Sequence, residues 1–154
     1  MMVPHVDNRR YPSHPIPGVG AIVVGPAGLL LVRRDKAPGK GLWSIPGGAV
    51  ELAETQKEAV VREVMEETGV QCEVLELVST ADLVTLDSKG RVEYHYLLNH
   101  YIARGLTTET QSETPAAEVT WFPLDSLPLG EMPIRILDLL ESVRERMQSL
   151  TDCD

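Results

Sequence analysis

The sequence predicts an α/β fold in which helices pack on a mixed β-sheet. Short apolar and β-branched runs of strand length recur along the chain, bounded by Gly, Pro or Asp. Two longer stretches, 55–68 and 134–150, carry apolar residues near helical spacing. Strands and helices do not alternate as regular strand–helix–strand units, which favours a mixed sheet with helices on it.

Each element follows from local chemistry. Residues 4–17 hold Pro4, Pro12, Pro15 and Pro17; proline lacks a backbone donor and restricts its neighbour, so this is an extended arm. Gly18 to Val24 reads as a buried strand, Gly25-Pro26-Ala27-Gly28 as a turn, and Leu29 to Val32 as the partner strand. Arg33-Arg34 ends that hairpin, 35–41 is a loop with Pro38, Gly39 and Gly41, and Leu42 to Ile45 is a short strand broken by Pro46-Gly47-Gly48. Thr55 to Thr68 is the clearest helix: Thr55 and Glu58 have capping-box spacing and Gly69 supplies a left-handed stop. Val70 to Ala81 and Arg91 to Ala103 are strands joined across Asp87-Ser88-Lys89-Gly90. Residues 104–117 form a loop, Glu118 to Phe122 a short strand, and Ile134 to Leu150 one second helix with Ile136, Leu137, Leu140, Val143 and Met147 as its apolar positions. The whole chain, 1–154, reads as one domain with an N-terminal arm at 1–17.

A chain of 154 residues with 43% hydrophobic and 24% charged residues can bury a core without disulfides or structural metals. The formal net charge of −9 disfavours general binding to nucleic acid. It does not exclude a small anionic substrate, because a divalent metal reverses the sign within one pocket. Cys72 and Cys153 are too few and too scattered for a disulfide framework or a zinc site. The first ten residues carry no apolar run and no stretch approaches membrane-spanning length, so a cytoplasmic protein with no membrane partner is expected.

The chemistry concentrates on the first helix. With Glu63 at zero and about 100° per residue, Glu66 falls at about −60° and Glu67 at about +40°. The three carboxylates therefore share a face. Val60, Val64, Val61 and Met65 fall at about +60° to +200°, an apolar stripe expected to pack on the sheet. Like charges at these spacings repel, and a solvated acidic face is the ordinary reading of such a stripe. A hard divalent cation turns the cost into a purpose, since Mg²⁺ takes carboxylate and phosphate oxygens. Glu58 stands four residues before Arg62, an ion-pair spacing, and Arg62 is placed to orient Glu63. The glycines of Pro46-Gly47-Gly48 let backbone approach a ligand closely.

Residues 48–70, GAVELAETQKEAVVREVMEETGV, carry a further pattern. They resemble the Nudix box, Gly-x5-Glu-x7-Arg-Glu-U-x-Glu-Glu-x-Gly-U, with Gly48, Glu54, Arg62, Glu63, Glu66, Glu67 and Gly69 in the fixed positions and Val64 and Val70 in the apolar ones. Leu42 to Gly48 and Glu118 to Asp125 resemble the segments that flank the box. The stretch from Tyr11-Pro12 to Gly20 resembles the ADP-ribose pyrophosphatase-like branch. Ala53 stands where the family usually has glycine.

The resemblance implies an α/β/α sandwich with a mixed sheet and Mg²⁺-dependent hydrolysis of the pyrophosphate bond of a nucleoside diphosphate derivative. ADP-ribose or a nucleotide sugar is the first expectation, a nucleoside triphosphate, including an oxidised one, the second, and a binding module without turnover the third. Glu63, Glu66 and Glu67, with the Gly48 carbonyl, would hold Mg²⁺ or Mn²⁺; Glu54 would be structural or an outer-sphere partner. Glu63, Glu66, Glu67 and Arg62 form the catalytic set. The general base is left open among Glu63, Glu113 and Glu118.

Arg33, Arg34, Gly47 and Gly48 are the substrate-binding candidates, since guanidinium matches phosphate geometry. Trp43 is expected to pack beneath the glycine loop, Tyr94 and Tyr96 to pack in the core, and His95 to be structural. His5, His14 and His100 lack metal-ligand spacing. The arm and the long strand offer surfaces for a homodimer.

Overall fold

The computed structural model describes residues 9–37 and 39–152; the arm before residue 9, with Pro4 and His5, and Pro38 and Cys153 lie outside the described residues. The strands are β1 (Ile16–Gly25), β2 (Gly28–Arg33), β3 (Trp43–Ser44), β4 (Gly47–Ala49), β5 (Cys72–Leu86), β6 (Val92–Gly105) and β7 (Glu118–Phe122). The helices are α1 (Gln56–Thr68), α2 (Ile134–Ser142) and α3 (Arg144–Asp152), with a 3₁₀ turn at Leu129–Glu131.

The sheet runs β3-β2-β1-β6-β5, with β4 added to β1 and β7 to β2. β1 and β6 pair in parallel over Ile16 to Val24, while every other pair is antiparallel, so the sheet is mixed. Alternate residues of the central strands feed two cores, as strand geometry requires. Val19, Ala21, Val23, Leu30, Tyr101 and Ala103 meet Ala59, Val60 and Val64 of α1. Ile22, Val24, Leu29, Leu31 and Ile102 meet Ile136, Leu139, Leu140, Met147 and Leu150 of α2 and α3. With a helical layer on each face, the architecture is the expected α/β/α sandwich. Each large aliphatic side chain closed off this way contributes about 1.5–3 kcal/mol.

Three sequence expectations change. Gly47 and Gly48 are a strand, not a break: Gly20↔Gly47, Val19↔Gly48 and Gly18↔Ala49 are paired. A Cβ on Gly47 would lie 2.2 Å from the Val19 carbonyl oxygen, so only glycine lets the two strands come this close. The last helix is two helices. The Ser142 hydroxyl donates to the Leu139 carbonyl at 2.6 Å, and the Val143 N–H turns to Leu140 at 3.2 Å, so one α-helical bond is replaced and the axis breaks at Val143. The strand from Cys72 runs five residues beyond Ala81, to Leu86, at the Asp87 turn. Among the described residues, no helix is long and apolar enough to cross a membrane.

Candidate active site

α1 is held at both ends by the chemistry read from the sequence. Thr55 accepts from the Glu58 N–H at 3.2 Å, the Glu58 carboxylate accepts from the Thr55 N–H at 3.1 Å, and Gly69 takes φ 74°. The Glu58 side chain is thus engaged in the cap, and the ion pair expected with Arg62 is replaced by others. Arg62 clamps Glu54 with two bonds of 2.6 and 3.0 Å, donates to the Ala49 carbonyl at 3.0 Å, and reaches Glu63 at 2.8 Å and Glu66 at 3.2 Å. Held in this fork, the Glu54 carboxyl titrates at about 2, and Arg62 stays charged. Glu54 therefore fixes Arg62, as its expected structural role required. Ala53, just before it, takes the left-handed φ of 66°, which glycine adopts without strain.

The helix is rotated from the orientation its apolar stripe suggested. Ala59, Val60, Glu63, Val64 and Thr68 are buried, while Val61 and Met65 are 42% and 40% exposed. That turns the centre of the buried arc by about 80° toward the acidic side. β4 explains the turn: a Cβ at Gly48 would sit 2.5 Å from the Glu63 carboxylate, so the bare backbone makes room for Glu63 beneath the helix. Glu67 reaches the same strand and accepts from the Gly47 N–H at 3.3 Å.

Glu63 and the half-buried Glu67 both hold protons more tightly than usual. Burial raises Glu63, against the opposing pull of Arg62. Burial and then the charge of Glu63 push Glu67 up to about 8, while the Gly47 N–H and Arg34 act the other way. The donor set is all oxygen, and two of its three carboxylates are crowded and incompletely compensated, which suits a hard divalent cation. Among the described residues, no three acidic, histidine or cysteine side chains yet converge on one point. Glu63 and Glu66 turn to Arg62 and Glu67 to Gly47, so a cation held by these acids would compete with Arg62 for two of them. The bonds from Ala21 N–H to Pro46 and from Val50 N–H to Pro17 flank the Val19–Gly48 pair. By ladder alternation that pair is bonded too, so the Gly48 carbonyl faces β1 with one lone pair to spare.

The two arginines part company. Arg33 braces its surroundings: it donates to the Gly41 carbonyl at 3.1 Å, lies 3.5 Å from Glu118 and 3.7 Å from Glu131, and stands over the Trp43 ring at 6.0 Å. Arg34 is half-buried and its charge is felt by Glu67. The two later acids part likewise. Glu118 is tied to Arg33, whereas the charge of Glu113 bears on Glu67. Trp43 is buried in the α2–α3 core, edge-on to Phe122 with ring centroids 5.0 Å apart, while Tyr94 is buried and stacks at 6.5 Å on a half-buried Tyr96, outside both core clusters.

Two cations near the site went unread in the sequence. Arg9, in the arm, acts on Glu63, and Arg135, at the start of α2, acts with Arg34. Neither lies in a motif, and only the fold brings them near. His100 is 4% exposed, with Nδ1 3.1 Å from the Ser79 hydroxyl, and burial followed by the charge of Arg135 lowers it to about 4. Burial pushes the Cys72 thiol up to about 11, leaving it unreactive. The broad groove of about 1160 Å³ between β5 and the α2–α3 joint, lined by Glu76, Val78, Val143 and Arg146 among others, contains none of these residues.

Comparison with known proteins shows the family to which this fold belongs. Residues 14–143 match the NUDIX domain family model. A putative nudix hydrolase 1 of Caenorhabditis elegans is 39% identical over 118 residues, covering 76% of this chain and 30% of the relative. An ADP-ribose pyrophosphatase of Methanocaldococcus jannaschii is 35% identical over 115 residues, covering 75% of this chain and 66% of the relative. The chain thus spans less than two thirds of the length of either curated relative. The crystal structure of a MutT NUDIX hydrolase from Burkholderia pseudomallei superposes with a TM-score of 0.72 at 32% identity, covering 85% of this chain and 99% of that one. With the family model spanning most of its length and the Glu63–Glu66–Glu67 helix set against Gly47–Gly48, the chain belongs to the Nudix family.

Proposed function

We propose that the chain hydrolyses the pyrophosphate bond of a nucleoside diphosphate derivative, ADP-ribose or a nucleotide sugar first, with Mg²⁺ or Mn²⁺ as cofactor. One observation carries the reading: Glu63 and Glu67 are packed against the bare Gly47–Gly48 backbone with their proton affinities raised. A helix whose acids served only solubility would leave them in water. The similarity to an ADP-ribose pyrophosphatase supports the choice of substrate.

When bound, the cation supplies charge neutralisation at the diphosphate. Glu63, Glu66, Glu67 and the Gly48 carbonyl would hold it, and Arg62 would orient Glu63. Arg34, whose charge bears on Glu67, binds a phosphate oxygen. Water attacks one phosphorus, the bond from that phosphorus to the bridging oxygen breaks, and the second phosphate leaves with the bridging oxygen. Glu113 takes the proton of the attacking water. Its charge bears on Glu67, while Glu63 is engaged with Arg62 and Glu118 with Arg33.

The test is incubation with Mg²⁺ and a panel of ADP-ribose, nucleotide sugars, dinucleoside polyphosphates and nucleoside triphosphates, with products resolved chromatographically. AMP and ribose 5-phosphate from ADP-ribose are expected. Preferential conversion of a triphosphate to monophosphate and pyrophosphate overturns the substrate and keeps the mechanism. Absence of any product with either cation overturns the hydrolase reading in favour of a binding module.

A further inference from the structure

The 104–117 loop is fastened rather than free, and its last fastening stands beside the proposed phosphate-binding arginine. Its first half is sewn to the end of α1 and the start of β5: Leu106 N–H donates to Gln71 at 2.7 Å, Gln71 N–H to the Thr107 hydroxyl at 3.0 Å, and Gln111 N–H to the Thr68 carbonyl at 2.8 Å. Its second half meets the loop after β2, where the Thr114 hydroxyl donates to Asp35 at 2.6 Å across 79 residues of sequence. The same hydroxyl accepts from the Ala117 N–H at 3.3 Å. Thr114 thus closes its own turn while holding Asp35, and the bond keeps the Asp35 carboxyl below its usual range.

The two anchors nearest Glu113 each adjoin a residue of the site. Thr68 follows Glu67, Asp35 follows Arg34, and only Ser112 and Glu113 lie between the anchored Gln111 and Thr114. A carboxylate strung over so short a span is aimed by its two anchors, and losing one returns several residues to conformational freedom.

We propose that the Asp35–Thr114 hydrogen bond is a clasp that holds Glu113 over the C-terminal end of the catalytic helix, making Asp35 and Thr114 positioning residues for the hydrolysis. The proposal rests on the hydrolase reading above and on Glu113 as the base. Thr114→Val removes both bonds of the hydroxyl in a side chain of the same shape, while Thr114→Ser keeps both.

The experiment measures kcat and KM, on the panel compound turned over fastest, for the unmodified chain and for Thr114→Val, Thr114→Ser, Glu113→Gln and the Glu113→Gln/Thr114→Val double variant, with Tm and amide hydrogen exchange over 111–117 alongside. The valine variant is expected to lose about ten- to a hundredfold in kcat, from misplacement of the base. Its KM and Tm should be little changed and its exchange over 111–117 faster. The serine variant should recover both readouts, and the double variant should be no slower than Glu113→Gln alone. Retention of kcat by Thr114→Val, failure of serine to restore it, or multiplication of the two losses in the double variant overturns the clasp. If the unmodified chain turns over nothing, the hydrolase reading falls first and this proposal with it.

Discussion

Helix α1 and the pair α2–α3 cover opposite faces of one sheet, and they do so on different terms. α2–α3 bury Ile136, Leu139, Leu140, Met147 and Leu150, all apolar. α1 buries Ala59, Val60 and Val64 but sets Glu63, 7% exposed, among them, and leans Glu67 onto β4. One layer is arranged for stability. The other holds charge where charge is costly, which is how sites that bind cations differ from cores. Stability and activity should therefore separate between the two faces.

The largest effect is expected from Glu67→Gln. If Glu67 is a cation ligand, kcat falls by about a hundredfold or more, while the fold is kept. The stability consequence has the opposite direction. Glu67 titrates at about 8 in the folded chain against an ordinary 4.5, so the folded state binds more protons than the unfolded state between those values. Stability in metal chelator therefore declines as pH rises through that window. The glutamine variant lacks the decline, and added Mg²⁺ raises the Tm of the parent at pH 8 but not that of the variant. Thermal melts from pH 5 to 8.5 with EDTA and with Mg²⁺ check this. A variant with parental kcat, or a Tm response to Mg²⁺ equal to the parent's, removes Glu67 from the cation site.

Ile136→Ala is the mirror experiment on the other face. Ile136 is 1% exposed in the α2–α3 core, and truncating it should cost about 2–5 kcal/mol. kcat per folded molecule should hold, because the residue belongs to the core on the face of the sheet opposite α1. Urea unfolding and active-site titration of the same sample separate the two quantities. A loss of kcat larger than the loss of folded protein would mean that the two faces are coupled.

His100 gives that face its own pH dependence, with the reverse sign. It lies on the α2–α3 side, opposite Gly20, and titrates at about 4 against an ordinary 6.5. Its contribution is present above 6.5 and is lost as pH falls from 6.5 toward 4, because the unfolded chain takes up the proton first. The shift corresponds to at most about 3.5 kcal/mol. His100→Asn should flatten the acid limb of a Tm-versus-pH curve and leave the alkaline limb, set by Glu67, in place. An unchanged acid limb would assign acid sensitivity to other groups.

The same two faces differ in how much of them can be read from sequence. α1 announces itself through residues close in the chain: Thr55 and Glu58 cap each other, Gly69 stops the helix, and the acids recur at spacings of three and four. Its rotation does not, because it depends on what lies beneath, two glycines of a strand that a propensity reading takes for a break. The apolar period through 134–150 survives the break at Val143, so the period gives no sign of it; the cause is a serine bonding back to Leu139, with no proline or glycine to mark the place. The structural role of Glu54 is legible from its place just before the helix cap, off the face of the other acids. The bond between Asp35 and Thr114, and the approach of Arg9 and Arg135, join residues far apart in the chain, so no local pattern encodes them.

The smallest effect tests the rotation of α1 directly. Val61 and Met65 lie one turn apart on the exposed side, although the apolar stripe of the sequence had them facing the sheet. Replacing either with lysine exchanges a solvent-facing apolar group for a good helix former, so stability should move by no more than about 0.5 kcal/mol. The same substitution at Val60 or Val64, 1% and 0% exposed, would bury an unpaired ammonium and unfold the chain. Denaturant midpoints of Val61→Lys and Met65→Lys decide the matter. A loss of 2 kcal/mol or more would mean that this side of α1 is covered in solution. Light scattering would then tell between a second copy of the chain on that face, with dimer mass lost in the lysine variants, and a helix packed in the register its sequence first suggests, with monomer mass throughout.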